Sequence, residues 1–129
     1  MYKELIISAI IVISIFVLDY ITQKYTDKVI NEAIQDLTII KQAMKQEDFD
    51  NEKILKQSND NYEKWMKYHK KLAFYIEHNE LEKVETNYVA GKSFIENEKY
   101  EYALSEVEKT IFVLQHINDK YSINLENIF

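Results

Sequence analysis

The chain has 129 residues and a formal net charge of −6, enough for one modest domain. One glycine (Gly91) and no proline leave too few turn-formers for a sheet-rich fold, so the composition predicts an all-α protein with short connections. All 16 basic residues are lysine and cysteine is absent. This makes a poor nucleic-acid binder, leaves no glycine-rich phosphate loop, and removes disulfides and thiolate metal sites.

The first element is the apolar run LIISAIIVISIFVL, residues 5–18, whose only polar members are Ser8 and Ser14. Counted from Tyr2 to Ile21 it makes a helix of about 30 Å, the thickness of a bilayer core. Its apolar residues run all round the helix, which argues against a soluble core helix, and VLDYITQKY offers no small-x-small cleavage site. Residues 1–21 are therefore expected to be an uncleaved single-pass membrane anchor, with Tyr2, Tyr20 and Tyr25 at the interfaces. Lys3 on one side and Lys24 and Lys28 on the other nearly balance the positive-inside rule. The pattern of a short flank followed by the bulk of the chain favours an extracytoplasmic domain on a cell-membrane anchor.

Residues 22–118 read as a helical bundle, with helices over about 22–46, 50–78, 80–96 and 99–118, followed by a tail over 119–129. In the first, Ile30, Ala33, Leu37, Ile40 and Met44 recur in steps of 3 and 4, and nothing between 21 and 44 stops the membrane helix from continuing as one rod. Asp48 or Asp50 is placed to cap the second helix, with Glu52 in its first turn. Its seam is Leu55, Ser58, Tyr62, Trp65, His69, Leu72 and Ile76. Asn79 is read as the cap of the third helix, with Glu82 three residues on; its seam is Leu81, Val84, Tyr88, Gly91 and Ile95. ENEK, residues 96–99, is the third turn. Tyr100, Ala103 or Leu104, Val107, Ile111, Leu114 and Ile117 form the last seam. Connections this short force antiparallel neighbours, so the expected fold is an N-terminal transmembrane helix continuing into an antiparallel up-down four-helix bundle.

That topology returns the ends of helices two and four to the level where the rod leaves the bilayer. His78, the carboxylates of residues 80–85, His116 and the terminal LENIF are thereby expected at the membrane-facing end. His78 and His116 with Glu77, Glu80, Glu82 and Glu85 invite a metal reading. Yet no HExxH or ExxH pair is present, and the plainer reading is a solvated helix corner with His78 at a helix carboxy terminus. His69 reads as an interior or boundary histidine. Trp65 reads as a core aromatic whose indole N–H seeks Ser58, Tyr62 or His69. Lys64, Lys67, Lys70 and Lys71 form a basic strip, taken as a solvated face rather than a lipid or acidic-partner contact. No nucleophile elbow, Walker loop or other catalytic pattern appears.

Taken jointly, Trp65, YIEHNELEKVE at Tyr75 to Glu85, LQHI at Leu114 to Ile117 and LENIF at Leu125 to Phe129 resemble a family of small proteins of low-GC Gram-positive bacteria, domain of unknown function 4363. The resemblance implies a membrane-anchored helical protein without an assigned activity, encoded near multi-pass membrane proteins. The expectation is then a non-enzymatic interaction module, an accessory subunit of an integral membrane protein. It would have no cofactor or metal, with Tyr75, His78, His116, Asn127 and Phe129 as the contact surface and a homo-oligomer as a further option. The alternative is a membrane-proximal sensor reading protons or a divalent ion through His78 and His116.

Overall fold

A computed structural model describes residues 1–121, which fold as four α-helices: α1 (Tyr2–Met44), α2 (Asn51–Leu72), α3 (His78–Glu96) and α4 (Tyr100–Tyr121). They close a ring in which α1 and α3 each pack on α2 and α4, while the diagonal pairs do not approach. Consecutive helices run antiparallel, as the short connections require. The expected all-α architecture is thus present, with the long apolar helix leading into the bundle.

The core begins at Thr26; no residue from 1 to 21 is buried. The whole expected seam of α1 is inside, from Ile30 to Met44, widened by Val29. Leu81, Val84 and Ile95 of α3 and Ala103, Leu114 and Ile117 of α4 complete it. Gly91 lies where α3 and α4 come close: a Cβ built there would sit 3.5 Å from the Glu106 Cβ, in ordinary contact. Alanine therefore fits, and anything longer pushes the pair apart.

The register of α2 differs from the expected seam. Ile54, Ser58, Trp65 and Leu72 are buried, whereas Leu55, Tyr62 and His69 are half-buried. The reason is amphipathic: tyrosine and histidine lay an apolar body on the core and leave a polar tip outside. Trp65 is only 1 % exposed and stacks on Tyr88 with ring centroids 6.1 Å apart. Its indole N–H, expected to find a partner, has none among the described residues.

Helix boundaries follow the caps. The Asp50 carboxylate accepts from the amides of Glu52 and Lys53 at 3.0 and 3.4 Å, so of the two aspartates considered, Asp50 is the cap. Asp50→Ala should cost about 1 kcal/mol and lower the midpoint of thermal unfolding, followed by circular dichroism, by about 4–8 °C. The second helix was expected to reach residue 78 but stops at Leu72, and the chain turns through residues 73–77. Short bonds from the amides of Tyr75 and Ile76 back to the Leu72 carbonyl keep that backbone satisfied. The bend also returns Ile76, 4 % exposed, to the core. Asn79 is not a cap: α3 starts at His78 with Glu77 in the capping position and no side-chain bond. His78 therefore opens α3 rather than closing α2. The last helix passes the expected end at 118 and reaches Tyr121, where Lys120 and Tyr121 tie it to the start of α3.

The connection from α3 to α4 is a Schellman turn. The Lys99 amide bonds the Phe94 carbonyl at 2.8 Å and the Glu98 amide bonds that of Ile95 at 3.1 Å. Glu98 takes the left-handed position, φ 57°, where glycine is the unstrained residue. Its carboxylate recovers something by accepting from Asn51 Nδ2 at 3.0 Å. Glu98→Gly should still stabilise the bundle by up to about 1 kcal/mol, read as a higher urea midpoint with unchanged slope.

Candidate functional site

Two ends of the bundle differ in kind. At the far end, Phe49 packs edge-on to Tyr100 with centroids 4.5 Å apart, and the Tyr100 hydroxyl bonds Asn51. At the near end, where α1 emerges from its apolar stretch, the turn 73–77, the start of α3 and the end of α4 converge on residues 19–31 of α1. Here the Tyr75 hydroxyl meets that of Thr26 at 2.5 Å. Thr26 in turn donates to the Thr22 carbonyl at 2.7 Å. Asn118 Nδ2 donates to Asp27 at 3.2 Å. The Tyr121 hydroxyl accepts from the Glu77 amide at 3.0 Å, satisfying one of the free donors at the start of α3.

Charge is concentrated at the same place. Lys120 Nζ lies 2.9 Å from Glu80 and 3.7 Å from Glu77; the hydrogen bond it donates to the Glu80 carboxylate pushes the Lys120 pKa above its ordinary value. Glu80 is nearly buried, and its second carboxylate oxygen has no partner among the described residues. A notch of about 210 Å³ opens between the elements, lined by Asp19, Thr22, Gln23, Thr26, Tyr75, Lys120 and Tyr121. Asp19 accepts from Gln23 at 3.1 Å within it.

The residues singled out from sequence are only partly brought together. Tyr75 is half-buried and its hydroxyl is bonded to α1. His78 is exposed, its nearest acid Glu82 at 3.9 Å one turn along α3. His116 is exposed on α4. Asn127 and Phe129 lie outside the described residues. Among the described residues no three histidine or acidic side chains gather as a metal site. What sequence reasoning missed is the cross-chain polar lattice of Glu77, Glu80, Lys120 and Tyr121, along with Phe74. Phe74 falls between the core positions Leu72 and Ile76 and is 89 % exposed; that offset from the seam was the available signal.

The basic strip also resolves differently. Lys64 is partly exposed but paired: its Nζ sits 2.6 Å from Glu32 and 2.9 Å from Asp36 on α1. Tyr68 donates to the other Glu32 oxygen at 2.8 Å. Lys64 and then Tyr68 hold the Glu32 carboxyl below its usual range, so its contribution to stability is present at neutral pH and lost as the fold is acidified through that range. Between about pH 5 and pH 3 the native protein should lose thermal stability more steeply than Glu32→Gln. Parallel slopes in a calorimetric pH series would refute this.

A model of the family described as Domain of unknown function (DUF4363) matches residues 20–128. No curated protein and no solved structure matches the chain.

Proposed function

The chain belongs to the DUF4363 family, and on that premise we propose that it is a membrane-tethered helical interaction module, a non-enzymatic accessory subunit of an integral membrane protein. One observation carries the reading. α1 is a single helix of 43 residues; its first part is long and apolar enough to cross a membrane with none of that stretch buried, and its second part is one wall of the bundle. Side chains such as Ile13 and Phe16, 61 % and 67 % exposed, are satisfied only by lipid or by other apolar helices.

Placed in a bilayer, the segment brings the near end of the bundle, with its notch and exposed His78 and His116, against the headgroups. That is the surface an integral partner would reach without leaving the membrane plane. On this reading the bundle stands on the extracytoplasmic side, and protease added to intact cells should cleave it there. Purification from native membranes at native expression in mild detergent should recover an integral membrane protein in fixed ratio. Recovery of the protein alone, or only with itself, would overturn the accessory-subunit reading.

A further inference from the structure

We infer that the turn between α2 and α3 is a second lipid contact, with Phe74 seated at the boundary between headgroups and acyl chains. The inference rests on the reading of residues 5–21 as a membrane span, and it adds a point at which the folded body itself touches the bilayer.

The level of the turn is fixed by bonds to α1. Tyr75 is tied to Thr26 and to the Thr22 carbonyl, four to eight residues past Leu18, the last residue of the uninterrupted apolar run. At the α-helical rise that is about 6–12 Å along the axis, within the interfacial layer flanking a bilayer core. Apolar side chains of surface-lying segments enter lipid at this depth.

The local chemistry matches that placement. Phe74 is 89 % exposed although Leu72 and Ile76 beside it are in the core. A fully wetted phenylalanine at the tip of a turn has no function in holding the fold. Tyr20, 58 % exposed, and the half-buried Tyr25, both on α1, and Tyr121 on α4 stand at the same end of the bundle, so that with the Phe74 turn three elements bring aromatics there. This is the arrangement of an interfacial aromatic belt. Lys71 holds its ammonium 5.7 Å from the centre of the Tyr25 ring, and lysines here can lay their stems on lipid with the charge kept in water. Glu77, His78 and Glu82 stand at the neighbouring start of α3, so the surface carries both signs. The contact is therefore apolar in origin and does not require anionic lipid.

The absence of cysteine makes the test direct. Single-cysteine variants Phe74→Cys, Phe112→Cys and Ile13→Cys of the full chain are spin-labelled and reconstituted in phosphatidylcholine vesicles. Relaxation by oxygen, which concentrates in lipid, is compared with relaxation by a water-soluble nickel chelate. Phe112 is the aqueous control: it is 70 % exposed and lies nine residues before Tyr121, about 14 Å farther from the span.

Position 13 should report the bilayer interior, position 74 the interface with oxygen dominant over nickel, and position 112 water. Nickel access at 74 equal to that at 112, with 13 still in lipid, overturns this inference and leaves the span intact. Water at position 13 overturns both. Lipid at 74 and 112 alike overturns it too, since a whole face rather than one turn would then lie on the membrane. Neither Phe74 nor Phe112 is in the core, so a loss of helical signal on labelling is not expected, and circular dichroism of each labelled protein checks that the readings come from folded chains.

Discussion

Trp65→Ala should lower the unfolding free energy by about 3–5 kcal/mol, a large part of the about 5–15 kcal/mol available to a domain. Trp65 is 1 % exposed, and its ring fills the space between α2 and α3 against Tyr88. Tyr88 is itself buried, and that burial pushes its phenol above the ordinary value. Truncation to alanine loses the transfer energy of the ring and leaves a hole that four packed helices cannot close. Trp65→Phe should cost well under half as much. It keeps an aromatic face for Tyr88 and deletes an indole N–H that has no partner among the described residues, relieving a desolvation penalty. Urea unfolding of the detergent-solubilised chain, followed by circular dichroism because the sole tryptophan is gone, measures both. Equal costs for the two variants would mean that the indole N–H is bonded after all, to an ordered water.

Deleting residues 2–21 should move the protein from the membrane pellet to the supernatant while leaving the bundle folded. The eleven Leu, Ile, Val and Phe residues between positions 5 and 18 favour insertion by about 3–7 kcal/mol together on a biological insertion scale. None of them contributes to the core, whose first member is Thr26. The thermal midpoint of the shortened chain should stay within a few degrees of the full-length protein. A point variant separates lipid affinity from length. Ile10→Asp with Ile13→Asp adds about 5–7 kcal/mol near the helix centre, enough to cancel the apolar gain. Carbonate extraction followed by ultracentrifugation reads the outcome. A shortened chain that still pellets would show that the bundle, not α1, holds the protein at the membrane.

Much of the fold was legible because one physical rule, burial at helical period, governs it. The 3-and-4 steps from Ile30 to Met44 and from Leu81 to Ile95 name buried positions without exception, since aliphatic side chains have only one place to go. The rule weakens in α2, where Tyr62 and His69 belong to both phases and Ile54 displaced Leu55 from the interior. The end of α2 was not legible at all. LAFYIEHNE contains no glycine or proline, and the break at Leu72 is imposed by the packing of Ile76 and the bond from Tyr75 to α1. Local signals favouring a cap at Asn79 gave way to that tertiary contact.

The near-end site was legible as a location and not as a set of contacts. Alternation of helix direction brings residues 76–82 and the end of α4 to the start of the bundle, and the structure has them there. Which lysine would meet which glutamate could not be read, because Lys120 and Glu80 are 40 residues apart and Lys64 and Asp36 are 28 apart. Periodicity assigns a side chain to a face, but the choice among several acids on the facing helix depends on axial offset between helices, which periodicity does not report. Lys64 therefore looked like one of four equivalent solvated lysines, although it closes the pair of α1 and α2.

The continuity of α1 from Tyr2 to Met44 has a mechanical corollary. A helix has no joint between the portion proposed to lie in lipid and the portion in the bundle, so the body behaves as a lever fixed to the segment. Bilayer-spanning helices commonly lean by about 20°. Beyond residue 21 the rod is about 35 Å long, and such a lean would swing the Phe49–Tyr100 corner sideways by about 12 Å. If that segment lies in lipid, changes in bilayer thickness, or in a neighbour that alters the lean, would thus be magnified at the distal corner, making it a pointer for the inclination of the segment.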